Sequence, residues 1–192
     1  MRKLWLDTET TGLDAERHTI VQIAAICEGE EFHVRLDRQP GTRLSAGALM
    51  VNNLMEISPD VQQDPLIAGI DFLKFLKKQK QANQGYRLLL CGHNVAFDLG
   101  FLKTFYARMG IDGIDEIFDY HYLDTMHLAV ALKDKKVLAL SQKLGLNPLC
   151  QVFGVKNENA HDALSDIRAT KALYQKMLER LWCSLTKNIS TT

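Results

Sequence analysis

Three short segments of this 192-residue chain carry side chains that could do chemistry together. The first is Asp7-Thr8-Glu9, followed at once by Thr10, Thr11 and Gly12. On a strand, residues two apart share a face, so Asp7 and Glu9 would aim the same way. Two carboxylates held together raise each other's proton affinity unless a cation sits between them. The second segment is Gly92-His93-Asn94-Val95-Ala96-Phe97-Asp98, and the third is His161-Asp162-Ala163-Leu164-Ser165-Asp166. Taken singly, each has a structural reading as well. An isolated DxE can be the polar end of a strand, Asp98 can favour a helix dipole by about 0.3–1 kcal/mol, and Asp162 can cap a helix.

As a set, the segments supply Asp7, Glu9, Asp98, Asp166 and His161. Carboxylates suit Mg²⁺ or Mn²⁺, whereas zinc would call for more histidine or cysteine. Two such ions, roughly 3.5–4 Å apart, can stabilise the attacking and leaving oxygens of a phosphodiester. An imidazole titrates near neutrality and could take a proton from the attacking water. Were residues 161–166 all helical, His161 and Asp166 would point about 140° apart around the axis. The histidine is therefore expected in a loop ahead of the helix, free to swing over the site.

The elements that must position these residues follow from hydrophobic pattern. Residues 3–7, 19–27 and 31–36 are apolar or alternating and predict three strands in an antiparallel meander, with residues 14–18 as the first polar connection. Pro40 and Gly41 break the pattern, and Ser45 predicts the N-cap of a short helix to residue 53. Residues 66–80 carry a helical stripe with a solvated lysine face. The apolar run at 87–91 predicts a buried strand ended by Gly92, followed by a helix over 94–109 closed by Gly110. Further helices are expected from near Thr125, as shorter pieces between residues 138 and 153, and over 163–181. Asp124 reads as a helix cap. Strands first, then strand and helix alternating, then helices, predict a mixed α/β layer fold.

The motifs DTETTG, HNVAFD and HDALSD resemble the three signature blocks of the DEDD exonuclease superfamily in its histidine-containing subgroup. That subgroup includes proofreading subunits of the DNA polymerase III epsilon type, ribonuclease T and oligoribonuclease. Order and spacing agree, and the similarity extends over residues 4–177. The resemblance implies a ribonuclease H-like three-layer fold: a central mixed sheet flanked by helices. It implies two Mg²⁺ (or Mn²⁺) ions, with Asp7 bridging both, Glu9 and Asp166 holding the ion that carries the nucleophilic water, Asp98 holding its ion directly or through water, and His161 as general base. It also implies substrate contacts at Thr10, Asn94 and Phe97. Residues 48–54 resemble the family's substrate-side loop, with Asn53 where a glycine is common; Val51 and Asn52 are the candidates there.

Composition bounds these expectations. Apolar residues make up 46% and charged residues 24%, and the 23 basic residues balance the 23 acidic ones. A neutral chain does not suit a nucleic-acid coat protein, because non-specific phosphate affinity comes largely from counterion release. It does suit an enzyme that grips one strand end. The scattered Cys27, Cys91, Cys150 and Cys183 read as free thiols in a reducing, cytoplasmic setting. The start MRKLWLD meets Asp7 before an apolar run can build, so neither a signal peptide nor a membrane span is expected. One exonuclease domain is expected over 1–181 and a short tail over 182–192, too brief to tether a polymerase, so that a polymerase partner would have to meet the folded surface.

The activity expected is hydrolysis of the terminal phosphodiester of DNA or RNA, releasing 5′-nucleotides from a free, single-stranded or frayed 3′ end. Two alternatives stand beside it. One is an oligoribonuclease-like enzyme of very short substrates, which would suit a homodimer. The other is a catalytically silent adaptor on a nuclease fold, binding nucleic acid or a protein partner; it predicts loss of a ligand, and all five are present.

Overall fold

The computed structural model describes residues 1–38, 42–45, 48 and 62–189. Ser45 Oγ accepts the Ala48 N–H at 3.1 Å, as an N-cap would; the rest of the helix expected over 45–53, Val51 and Asn52 included, lies outside the described residues.

The apolar run that opens the chain forms β1, Lys3–Thr10. It pairs antiparallel with β2, Ile20–Cys27, which pairs antiparallel with β3, Glu30–Arg35. The two later strands, β4 (Leu88–Gly92) and β5 (Phe118–Asp124), run parallel to β1. The sheet order is β3-β2-β1-β4-β5, so β1 is central. β2 is buried along its whole length, as an apolar run covered on both faces must be.

The helices α1 (Pro65–Ala82) and α2 (Val95–Arg108) cover one face. There Leu4, Leu6, Ile23 and Ala25 pack against Phe72, Leu76, Leu102 and Tyr106. The other face carries Trp5, Ala24 and Ile26 under Ala163 and Ile167 of α5, Ala163–Ile189. A satellite core joins α3 (Thr125–Asp134) and α4 (Leu146–Phe153) to α5 through Leu132, Leu149 and Leu173. This is the three-layer, ribonuclease H-like arrangement.

Three expectations need correction. β5 is absent from the sequence reading; its ends are buried, while Tyr120, His121 and Tyr122 are exposed. Phe118, Tyr120 and Tyr122 do alternate with Asp119 and His121, a short aromatic run that the reading passed over. Residues 138–145 are not helical; α4 begins at Leu146, after Gly145. The last helix continues past residue 181 to Ile189. Cys27, Cys91 and Cys150 are buried free thiols, and Cys183 is exposed. Among the described residues, no helix is long and apolar enough to cross a membrane.

Gly92 closes β4 where the sheet needs close approach. A Cβ there would sit 2.8 Å from Val95 Cβ and 2.9 Å from the Leu6 carbonyl oxygen. Because neither neighbour is a flexible side-chain end, Gly92→Ala is expected to destabilise the fold by about 1–3 kcal/mol, as overpacking does. Urea unfolding checks this, and an unchanged midpoint would refute the close approach.

Candidate active site

The acidic residues gather where β1 and β4 end. Strand alternation puts Trp5, Asp7 and Glu9 on the α5 face and Thr8 on the α2 face. Glu9 is buried and Asp7 half-buried.

Asp98 lies in the first turn of α2, almost fully buried. Its Oδ1 accepts the Thr8 N–H at 2.8 Å and the Thr8 hydroxyl at 2.6 Å. The residue between the two β1 acids therefore fixes the carboxylate delivered by α2. The sequence reading missed Thr8; the signal was its parity, opposite to Asp7 and Glu9.

Helix α2 is entered through Asn94, whose φ of +61° is left-handed and which makes no side-chain cap. Asp124 stands in for that cap. Its Oδ1 accepts Asn94 N–H at 2.9 Å and Met126 N–H at 2.8 Å, and its Oδ2 accepts Val95 N–H at 3.0 Å. The expected cap role of Asp124 thus extends to two helices at once.

Asp166 lies in the first turn of α5. Its Oδ1 accepts from Asn157 Nδ2 at 2.6 Å and its Oδ2 from the His161 N–H at 3.2 Å. His161 precedes α5 in an exposed turn at φ +68°, as its angular offset from Asp166 required. One ligand atom each from Glu9, His161 and Asp166 lies within 4.8 Å of the others.

Burial and mutual repulsion leave these carboxyl groups reluctant to ionise. Asp7 is pushed well above the usual range by burial first, then by Asp98, Glu9 and Asp166. Burial and the charge of Asp166 push Glu9 up to about 8. Burial raises Asp98 against the pull of its two Thr8 hydrogen bonds, and raises Asp166 against its bond from Asn157. A cluster of oxygen donors in this state lacks positive charge at its centre, and a hard divalent cation fits that donor set.

The expected substrate contacts are spread around the cluster. Asn94 is exposed, and Phe97 is half-buried against Phe101 with ring centroids 4.8 Å apart. Thr10 is buried, with its hydroxyl donated to the Gly12 carbonyl at 2.7 Å. Val51 and Asn52 fall outside the described residues.

A mixed sheet flanked by helices is the ribonuclease H-like fold, and it brings carboxylates from β1, α2 and α5 together. The RNase T exonuclease family model matches residues 66–174, more than half of the chain. The chain belongs to this exonuclease family, whose relatives and structural neighbours are DEDD-type 3′-5′ exonucleases. A PolC-type DNA polymerase III from Listeria welshimeri is 31% identical over 178 residues, covering 90% of this chain and 11% of that protein. Ribonuclease T from Shewanella frigidimarina is 27% identical over 193 residues, covering 94% of this chain and 83% of the relative. The zinc-bound complex of E. coli exonuclease I with single-stranded DNA has the same fold, with a TM-score of 0.76 at 18% identity over 98% of this chain and 43% of that one. The chain thus spans about a tenth of the PolC-type relative and less than half of exonuclease I.

Proposed function

We propose that the protein is a metal-dependent 3′-5′ exonuclease that removes 5′-nucleotides singly from a free 3′ end. The observation that carries this reading is the meeting of Glu9, His161 and Asp166 ligand atoms within 4.8 Å, beside the charge-crowded Asp7 and Asp98. Asp7, Glu9, Asp98 and Asp166 would hold two Mg²⁺ or Mn²⁺ ions. When bound, such a pair supplies charge stabilisation to the attacking and leaving oxygens of an in-line displacement.

The chain's own residues do the rest. A ring nitrogen of His161 takes the proton from the attacking water as its oxygen bonds to the terminal phosphorus. The bond from phosphorus to the 3′-oxygen of the preceding nucleotide breaks, and that oxygen takes a proton from solvent, leaving a new 3′-hydroxyl and a free 5′-nucleotide. Thr8 keeps Asp98 oriented, and Asn157 does the same for Asp166. Asn94, Phe97, Thr10, Val51 and Asn52 are proposed to meet the terminal nucleotide. Single-stranded DNA, the ligand of the exonuclease I complexes, is the first substrate to try, and ribonuclease T adds RNA.

The test uses 5′-labelled DNA and RNA, two to about twenty nucleotides long, blunt or 3′-overhanging, with Mg²⁺, Mn²⁺ or EDTA. A metal-dependent ladder of shortening products is expected. Activity confined to the shortest chains would point to an oligoribonuclease-like enzyme, and binding without cleavage under either metal would sink the catalytic reading in favour of an adaptor.

A further inference from the structure

Glu9, Gln22 and Arg35 stand in one row across the antiparallel half of the sheet. Glu9 is the register partner of Gln22, and Gln22 is the register partner of Arg35. Parity puts all three on the face covered by α5. Gln22 is only 2% exposed, and its Oε1 accepts the Ala163 N–H at 3.2 Å. Arg35 Nη2 donates to Asp162 Oδ2 at 2.9 Å. The other oxygen of Asp162 accepts the Ser165 N–H at 3.1 Å, and its carbonyl accepts the Asp166 N–H at 2.9 Å.

Every one of these bonds holds the two residues that follow His161. We propose that Gln22 and Arg35 are positioning residues, holding the start of α5 so that the His161 ring faces Glu9 and Asp166. The inference rests on the reading of His161 as general base. A non-glycine residue at positive φ persists only where its surroundings fix it, and His161 itself is exposed. Its own N–H is held by Asp166 Oδ2 at 3.2 Å, and further restraint comes from its neighbours. Asp162 supplies it by capping the helix with one oxygen while Arg35 pins the other to the sheet.

A second link between β3 and α5, Arg168 to Glu31, provides the contrast. Its side chains are 56% and 38% exposed, against 28% and 16% for Arg35 and Asp162, and it lies more than a turn further along α5. It attaches the helix without touching the His161 turn.

The experiment compares single-turnover kcat and KM on a 5′-labelled oligonucleotide for Arg35→Met, Arg35→Lys, Arg168→Ala, His161→Ala and the Arg35→Met/His161→Ala double variant. Arg35→Met should lower kcat about ten- to a hundred-fold, the loss typical of residues that orient a catalytic group, and leave KM within about two-fold. Arg35→Lys should recover part of the loss, and Arg168→Ala should stay within about two-fold of wild type. In the His161→Ala background, Arg35→Met should cost less than about a further two-fold, since both changes remove one function. In the metal-free protein, amide exchange at Ser165 should quicken in Arg35→Met and not in Arg168→Ala. Should Arg35→Met fail to fold, Asp162→Asn breaks the same ion pair, retains the capping oxygen and should give the same pattern. Losses that multiply fully in the double variant, or an unchanged kcat, would overturn this inference alone. Wild-type turnover in His161→Ala would overturn the base assignment with it.

Discussion

Asp7→Asn is expected to slow exonucleolytic turnover by at least about 10³-fold, equivalent to about 4 kcal/mol of lost transition-state stabilisation. The substitution keeps the shape of the side chain and removes its charge. Asp7 is the group most crowded by other carboxylates, with Asp98, Glu9 and Asp166 all raising its proton affinity. It would be one of the residues that hold the proposed cations, and a neutral amide there would weaken that hold. The fold should gain from the same change. With one repelling carboxylate gone, the metal-free variant should melt above the metal-free wild type at pH 8. Loss of activity with a gain in stability separates a functional group from a structural one, because stability and activity trade against each other at such sites. Single-turnover cleavage and thermal melts check both halves, and turnover within about ten-fold of wild type would remove Asp7 from the mechanism.

Stability should depend on pH and on metal in a linked way. A carboxylate whose pKa is higher folded than unfolded binds more protons in the native state across the interval between the two values, so folding weakens as pH rises through it. For Glu9 that interval runs from 4.5 to about 8, and Asp7, Asp98 and Asp166 are displaced in the same direction. The metal-free protein should accordingly melt at a lower temperature at pH 8 than at pH 5.5. Adding Mg²⁺ at about a hundred times its dissociation constant contributes roughly 2.7 kcal/mol. At roughly 2–4 °C per kcal/mol for a chain of this size, that raises the melting temperature by about 5–10 °C at pH 8. The rise should shrink at pH 5.5, where protons compete for the same oxygens. A metal-free melting temperature that is flat or climbs between the two pH values, with no response to Mg²⁺, would refute the electrostatic account of the site.

What the sequence made legible divides along physical lines. β1, β2 and β3 announce themselves because their apolar positions follow a buried strand's spacing. The long helices do so because their stripes repeat along many turns. β5 offers only the short alternation of Phe118, Tyr120 and Tyr122 with polar residues; its middle is exposed on both faces, and its place depends on β4, which is remote in sequence. The site divides similarly. Asp7, Glu9, Asp98, Asp166 and His161 stand out because their chemistry is unusual at that spacing. Thr8, Gln22 and Arg35 do not, since each is an ordinary strand residue until the register brings it opposite its partner. Gln22 and Arg35 act on α5 through pairings between residues more than a hundred positions apart.

The double cap made by Asp124 reaches further than the two helices it starts. Residue 124 ends β5 and stands in register with Gly92, the last residue of β4. Sliding β5 by one position would turn that carboxylate to the opposite face and leave Asn94 and Val95 without their acceptor. The same slip would withdraw Phe118 from the core, whereas the exposed middle of β5 would lose almost nothing. The two buried ends of β5, Phe118 in the core and Asp124 at the helix entries, therefore discriminate the native alignment of this edge strand from its shifted competitors, and the entry of α2, on which Asp98 depends, is aligned by the same selection.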